Sequence, residues 1–146
     1  MDEPRLLLVD DEAPFIEAIS KRLKKRNFKV EMAFSGMEAL EKFTEDGFDP
    51  EVVILDVKMP GMDGIETLEE LKRKYPLVEV IMLTGHATVS SAIDGMKKGA
   101  FDYLMKPCDM EVLVTKVGEA IAKKRAQETK IVEARMKDIM RKKGLD

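Results

Sequence analysis

The sequence has no tryptophan, one histidine and one cysteine in 146 residues. The single thiol, Cys108, excludes an internal disulfide and any cysteine-rich zinc site. Six phenylalanines and two tyrosines leave little material for a base-stacking platform. A large excess of one sign of charge is missing as well: 25 basic against 28 acidic residues leave a net charge of −3, no electrostatic footprint for nucleic acid. Long apolar runs are missing. Leu6-Leu7-Leu8-Val9 stops at Asp10 and Asp11, too short for a signal peptide or a membrane span, so a cytoplasmic location with no membrane partner is expected. No repeat or low-complexity segment is present.

What the sequence does have is one stretch around which the rest is arranged, Val52-Val53-Ile54-Leu55-Asp56. A continuous apolar run of this length reads as a strand buried on both faces, as in a parallel sheet. Ligands of such sheets sit beyond the carboxyl ends of the strands. Asp56 stands at such an end, where a carboxylate is a structural cap, a metal ligand or a nucleophile. Val57 to Gly61 then forms a turn.

Five strands alternate with five helices along the chain. Arg5–Val9 is a first strand, ending in Asp10-Asp11-Glu12. Pro14 suits a helix first turn, and Phe15, Ile16, Ile19 and Leu23 follow at helical spacing. Phe28–Ala33 is a second strand. Ser35 and Glu38, then Asp63 and Glu66, carry the capping-box pattern of two further helices. Val78–Leu83 is the fourth strand and Val89–Lys98 the fourth helix, with Gly99 suited to its end. Phe101–Met105 is the fifth strand, and Asp109 can cap a last helix. This alternation predicts an α/β fold with a mostly parallel sheet of five strands and right-handed crossovers.

Residues 122–146 differ from the rest. They hold nine basic and four acidic side chains, a net +5 against −8 for the remainder. Ala122, Ala126, Thr129, Val132, Met136 and Ile139 form a weakly apolar stripe of roughly heptad spacing. The expected division is a packed domain over 1–121 and a charged helical extension or linker over 122–146, solvated or paired with another chain.

In such a fold the ends of the first, third, fourth and fifth strands converge, bringing together Asp10, Asp11, Asp56, Thr84 and Lys106. Clustered carboxylates repel one another unless a cation joins them. Oxygen donors without His or Cys favour a hard ion, Mg²⁺ or Mn²⁺. A lysine and a hydroxyl beside them complete what is needed to hold a phosphoryl group for transfer.

LLLVDDE, VVILDVKMPGMDG, IMLTGHA and GAFDYLMKP, in this order over residues 5 to about 121, together resemble the response-regulator receiver domain of two-component signalling. The resemblance implies its flavodoxin-like (β/α)5 fold, a five-stranded parallel sheet, doubly wound. The wording around Thr84 and Lys106 is most similar to receivers of the nitrogen-regulation type, which often precede an ATPase that activates transcription. The resemblance implies that Asp56 accepts a phosphoryl group from a sensor histidine kinase or a phosphotransfer protein. It implies direct Mg²⁺ ligation by Asp11, Asp56 and the backbone carbonyl of Lys58, with Asp10 helping through water. Lys106 would pair with Asp56 and then with the phosphoryl oxygens, Thr84 would hydrogen-bond the phosphoryl group, and Tyr103 would swing between two positions. The output would leave through the fourth helix, fifth strand and fifth helix, to a partner, an effector domain or a second copy. A homodimer could also form through the C-terminal helix. No direct nucleic-acid contact by the receiver is implied. The Lys106-Pro107 bond would be cis, and Lys58 and His86, each two residues beyond a site residue, would tune phosphoryl lifetime.

Taken singly, these residues have plainer readings. An isolated strand-end Asp is usually a cap, Thr84 a turn residue, Lys106 a surface lysine, Tyr103 a core tyrosine and His86 an exposed loop residue. Glu12 reads as solvated, Cys108 as packing and most of the eleven methionines as core filler. The constellation favours a switch that catalyses only its own phosphorylation and dephosphorylation, rather than an enzyme. A phosphorylation-independent scaffold is the alternative, though no pocket residue is missing. A haloacid-dehalogenase-type phosphohydrolase would need an aspartate where Lys58 stands. Either a single-domain regulator or the receiver of a longer transcription factor is compatible with the chain.

Overall fold

The computed structural model describes residues 3–44 and 47–144. Leu145 and Asp146 of the expected extension lie outside them, as do Met1, Asp2, Glu45 and Asp46 of the expected domain. The strands are β1 (Arg5–Val9), β2 (Lys29–Ala33), β3 (Val52–Leu55), β4 (Glu79–Thr84) and β5 (Asp102–Met105). The helices are α1 (Ala13–Lys25), α2 (Gly36–Lys42), α3 (Gly64–Lys74), α4 (Val89–Lys97) and α5 (Met110–Lys142). All four strand pairings are parallel, in the order β2-β1-β3-β4-β5. This is the expected five-stranded doubly wound sheet. The order reverses at β1 and β3, so a crevice opens above their carboxyl ends.

Alternate residues of the central strands feed two cores, because successive strand side chains point to opposite faces. Leu6, Leu8, Ile54, Ile81 and Leu83 pack with Ile16, Ile19 and Leu23 of α1 and Leu113, Val117 and Ile121 of α5. Leu7, Val9, Val53, Leu55 and Met82 pack with Ala39 of α2 and Ile65, Leu68 and Leu71 of α3. All four residues of β3 are buried, as its unbroken apolar run requires.

The helix starts follow the sequence signals. The Ser35 side chain accepts a hydrogen bond from the Glu38 amide, Asp63 from Glu66 and Asp109 from Glu111. Glu38 completes its end of the pattern at the Phe34 amide rather than at Ser35. Gly99 has φ +104°, the conformation that ends α4. β2 starts one residue later than expected, because the Phe28 amide still bonds back to Leu23 at the close of α1. The Val78 amide is likewise spent on Tyr75, and β4 runs from Glu79 to Thr84. The methionines are less internal than expected: Met37, Met96, Met105, Met136 and Met140 are all exposed. These five lie on outward helix faces or on the edge strand, where an unbranched side chain does not need a core position.

α5 continues without a break for 33 residues, a rod of about 50 Å at 1.5 Å per residue. Its first third packs on the sheet. Then Lys124 is buried beside Glu51, and Arg125 binds the Glu51 carboxylate with two hydrogen bonds, 2.7 and 2.8 Å long. Beyond this clamp Val132, Met136 and Ile139 of the predicted stripe are exposed, together with Ile131 and Met140. Among the described residues no helix is long and apolar enough to cross a membrane.

Candidate functional site

The crevice is built by strand ends held in register. The Asp10 amide bonds to Ala33 of β2, the Asp56 amide to Val9 of β1 and the Lys106 amide to Thr84 of β4. Each site residue is thus an extra rung of the ladder that precedes it, and the rigid sheet fixes where its side chain starts. The loop after Asp56 is pinned too. The Gly64 amide donates to the Val57 carbonyl at 2.7 Å. A Cβ on Gly64 would run into the Asp56 carbonyl oxygen, so this approach of α3 to the end of β3 needs glycine.

Carboxylate oxygens of Asp10, Asp11 and Asp56 lie within 4.8 Å of one another. Asp10 and Asp56 are buried and Asp11 is exposed. One Asp10 oxygen accepts from the Glu12 amide and one Asp56 oxygen from the Val57 amide. Leu8, Phe15, Ile16, Ile19, Ile54 and Leu83 form an apolar floor beside them. Burial pushes the Asp10 carboxyl above its ordinary range. Lys106 and the Glu12 amide oppose that shift, and the nearby Asp56 charge adds to it. Three carboxylates with oxygens this close together form a donor set suited to a hard divalent cation.

Lys106 meets the acids from the side. The resemblance pairs it with Asp56; here its ion-pair partners are Asp10, at 2.6 Å, and Glu12, at 3.4 Å. The ammonium also sits 3.9 Å from the centroid of the Phe15 ring. Burial works against its charge, but Asp10 first, then Asp56 and Glu12, hold it above the ordinary lysine range. Glu12 therefore touches the site instead of being only solvated. The sequence signal was available in the unbroken acid run, whereas the Phe15 contact depends on the entry angle of α1 and left no sequence trace.

Thr84 is fully buried, and its hydroxyl accepts from the His86 amide at 3.0 Å. Lys58 and His86 do come together, lining an open groove with Asp11, Glu12, Met59 and Pro60. Tyr103 stands apart from the acids. It is half-buried, and its hydroxyl lies 2.6 Å from Ser91 Oγ on α4. Ser91 in turn closes a capping box with Thr88 at the start of α4. That Thr-x-x-Ser spacing is a weaker version of the pattern read at Ser35, and sequence analysis passed over it. The Lys106-Pro107 peptide is cis.

Residues 6–118 match the family model of the response regulator receiver domain. Among curated proteins, the chain is 38% identical over 128 residues to the transcriptional regulatory protein ZraR of Klebsiella oxytoca, covering 88% of this chain and 28% of that protein. It is 34% identical over 115 residues to the DNA-binding transcriptional regulator NtrC of Klebsiella pneumoniae, covering 79% and 24%. The chain thus spans about a quarter of the length of these relatives. Among solved structures, a response regulator receiver domain from Clostridium thermocellum superposes with a TM-score of 0.80 at 38% identity, over 85% of this chain and 98% of that one. The receiver domain of NtrX from Brucella abortus gives 0.74 at 28% identity, over 80% and 98%. With the sheet order, the three acids at its carboxyl edge and the match over residues 6–118 all agreeing, the chain belongs to the response regulator receiver domain family of two-component signalling.

Proposed function

We propose that this protein is a phosphorylation-controlled switch and that Asp56 is its phosphoacceptor. The observation that carries the reading is the cluster of Asp10, Asp11 and Asp56 within 4.8 Å, with the Lys106 ammonium at its edge. Asp11 and Asp56, with the Lys58 carbonyl, would ligate Mg²⁺ or Mn²⁺, and Asp10 would act through water. When bound, the cation neutralises the acids and orients the oxygens of the incoming phosphoryl group. An Asp56 oxygen attacks phosphorus, the bond from phosphorus to the donor breaks, and its electron pair leaves with the donor. The donor is a phosphohistidine on a sensor kinase or phosphotransfer protein. Lys106 leaves Asp10 for a phosphoryl oxygen, and Thr84 turns its hydroxyl from the His86 amide toward the phosphoryl group.

The readout follows from two hydrogen-bonded ends of one loop. Residues 85–88 link Thr84 to the Thr88 cap of α4, and the Ser91 partner Tyr103 lies on β5. A shift at Thr84 therefore reaches α4 and β5, the face proposed to meet a partner, an effector domain or a second copy. Val89, Ile93, Met96 and Met105 are exposed there. We infer further that residues 1–121 are the receiver and 122–146 its helical extension, which offers a second route to a homodimer. The protein does no chemistry beyond its own phosphorylation and dephosphorylation, works in the cytoplasm, and its output is transcription regulation, by analogy with the regulators it resembles. Borohydride reduction after incubation with Mg²⁺ and acetyl phosphate, followed by peptide mapping, tests the acceptor. Homoserine at position 56 supports the reading, and label at another carboxylate contradicts it.

A further inference from the structure

Among the described residues, the partners of the Lys106 ammonium all come from the segment between the end of β1 and the first turn of α1. Asp10 is at 2.6 Å, Glu12 at 3.4 Å and the Phe15 ring centroid at 3.9 Å. None comes from β3. The Asp56 charge adds to the upward shifts of both Lys106 and Asp10. The surface beneath the ammonium is the Phe15 ring. An aromatic face attracts a cation, and does so most strongly where water is kept away. Only about an eighth of the Lys106 side chain is exposed (12%).

The Phe15 ring cannot easily drift from this place. It is the third residue of α1, just after Pro14, and its backbone is set by the first turn, in which the Ile16 amide bonds to Glu12. The ring packs against the core shared by α1 and α5 and also lines the apolar floor under Asp10 and Asp56. Sheet and helix thus hold ring and acid in fixed relation.

We propose that Phe15 is a positioning residue: its ring face, with Glu12 at the rim, holds the Lys106 ammonium on the Asp10 side and so keeps Asp56 open to the divalent cation and the phosphodonor. The inference rests on the site reading given above and specifies how this chain manages its lysine before transfer. Without the ring, Lys106 settles between Asp10 and Asp56, its positive charge partly neutralises Asp56, and it competes with the cation. Phosphorylation then reverses the preference, because a phosphoryl oxygen is the stronger partner for the ammonium. Leaving the ring is part of the switch.

The test uses the intact chain and two readouts other than phosphorylation. In the metal-free protein, proton NMR of lysine Cε groups is compared between wild type, Phe15→Met and Phe15→Tyr. Ring-current shielding moves the Lys106 Cε protons upfield of those of other lysines in wild type and in Phe15→Tyr, and the displacement vanishes in Phe15→Met. Electron paramagnetic resonance of free Mn²⁺ then gives the affinity of the acid cluster. Phe15→Met changes no charge, yet weakens Mn²⁺ binding about three- to tenfold, a range set by the usual strength of a cation–ring contact, while Phe15→Tyr stays near wild type. An unshifted Lys106 in wild type overturns the proposal without requiring any variant to fold. So does an unchanged Mn²⁺ affinity in a folded Phe15→Met protein. If Asp56 accepts no phosphoryl group, the functional reading falls, but the NMR and Mn²⁺ results still decide what Phe15 does to Lys106.

Discussion

Arg125, midway along α5, grips the buried Glu51 at the foot of β3 through two hydrogen bonds, 2.7 and 2.8 Å long. Glu51 is 2% exposed and also has Arg5 at 3.8 Å and Lys124 at 3.9 Å. Burial alone would raise its carboxyl, but Arg125 above all, then Arg5 and Lys124, hold it below its ordinary range. The clamp ties the base of the free helical rod to the strand that carries Asp56 at its other end.

Replacing Arg125 by Met leaves that carboxylate underpaired and should cost about 2 kcal/mol of stability at neutral pH, less than a fully stranded charge because two cations remain. The sign of the pH dependence follows from the lowered Glu51 carboxyl. Its contribution is complete above its unfolded value near 4.5 and is lost as pH falls through the lower folded value. Urea melts of wild type and Arg125→Met should therefore differ most at pH 7 and converge in acid, as pH falls through the lowered folded value. A gap that widens in acid would contradict the assignment.

Asp10, Asp11 and Asp56 repel one another in the metal-free protein. Because burial and the Asp56 charge raise the Asp10 carboxyl, ionised Asp10 costs stability above its folded value, and that cost is relieved as pH falls. Asp56→Asn removes one repelling charge. It should raise the metal-free melting temperature by roughly 2–5 °C, the equivalent of about 1 kcal/mol, and lose most of the further rise that Mg²⁺ gives wild type. Calorimetry with and without chelator checks both parts.

α4 is the helix least held by packing, since Gly95 is its one buried residue. The Ser91–Tyr103 contact at 2.6 Å is therefore a large share of its attachment. Ser91→Ala and Tyr103→Phe should each cost about 1 kcal/mol and the double variant little more than either alone. Amide hydrogen exchange should quicken severalfold over residues 89–97 and stay unchanged in β3. Additive effects in the double variant would show that the two hydroxyls act separately.

Lys58 and His86 line one groove beside Asp11. A long cationic side chain at its wall obstructs water or contacts a phosphoryl group. Lys58→Asn should change the dephosphorylation rate of the phosphorylated protein about three- to tenfold, a barrier change of roughly 1 kcal/mol. Equal decay rates for the two proteins would remove the role.

The fold was legible because each of its signals is local. The apolar runs of β1, β3 and β4, the caps at Ser35, Asp63 and Asp109 and the turn at Gly99 each report on a few neighbouring residues. Strand ends are also local, so Asp10, Asp11, Asp56, Thr84 and Lys106 could be placed in one crevice before any coordinates were known. Partner choice inside the crevice was not legible. Whether Lys106 turns to Asp10 or Asp56 depends on the Phe15 ring, which the angle of α1 brings in. Nothing in the sequence singles out Glu51 and Glu79 as buried acids, because the cations that pair them come from α3 and α5, up to 74 residues away. The extension was expected to begin after residue 121, where charge density changes. Charge pattern does not reveal that Lys124 and Arg125 turn inward.

The central claim is tested most directly by intact-mass spectrometry after incubation with Mg²⁺ and acetyl phosphate, with wild type beside Asp56→Ala. One added phosphoryl group on wild type, absent from Asp56→Ala and abolished by a chelator, is the result predicted for a cation-dependent acceptor at the end of β3. A wild-type mass that stays unchanged, or an equal gain on Asp56→Ala, would contradict it.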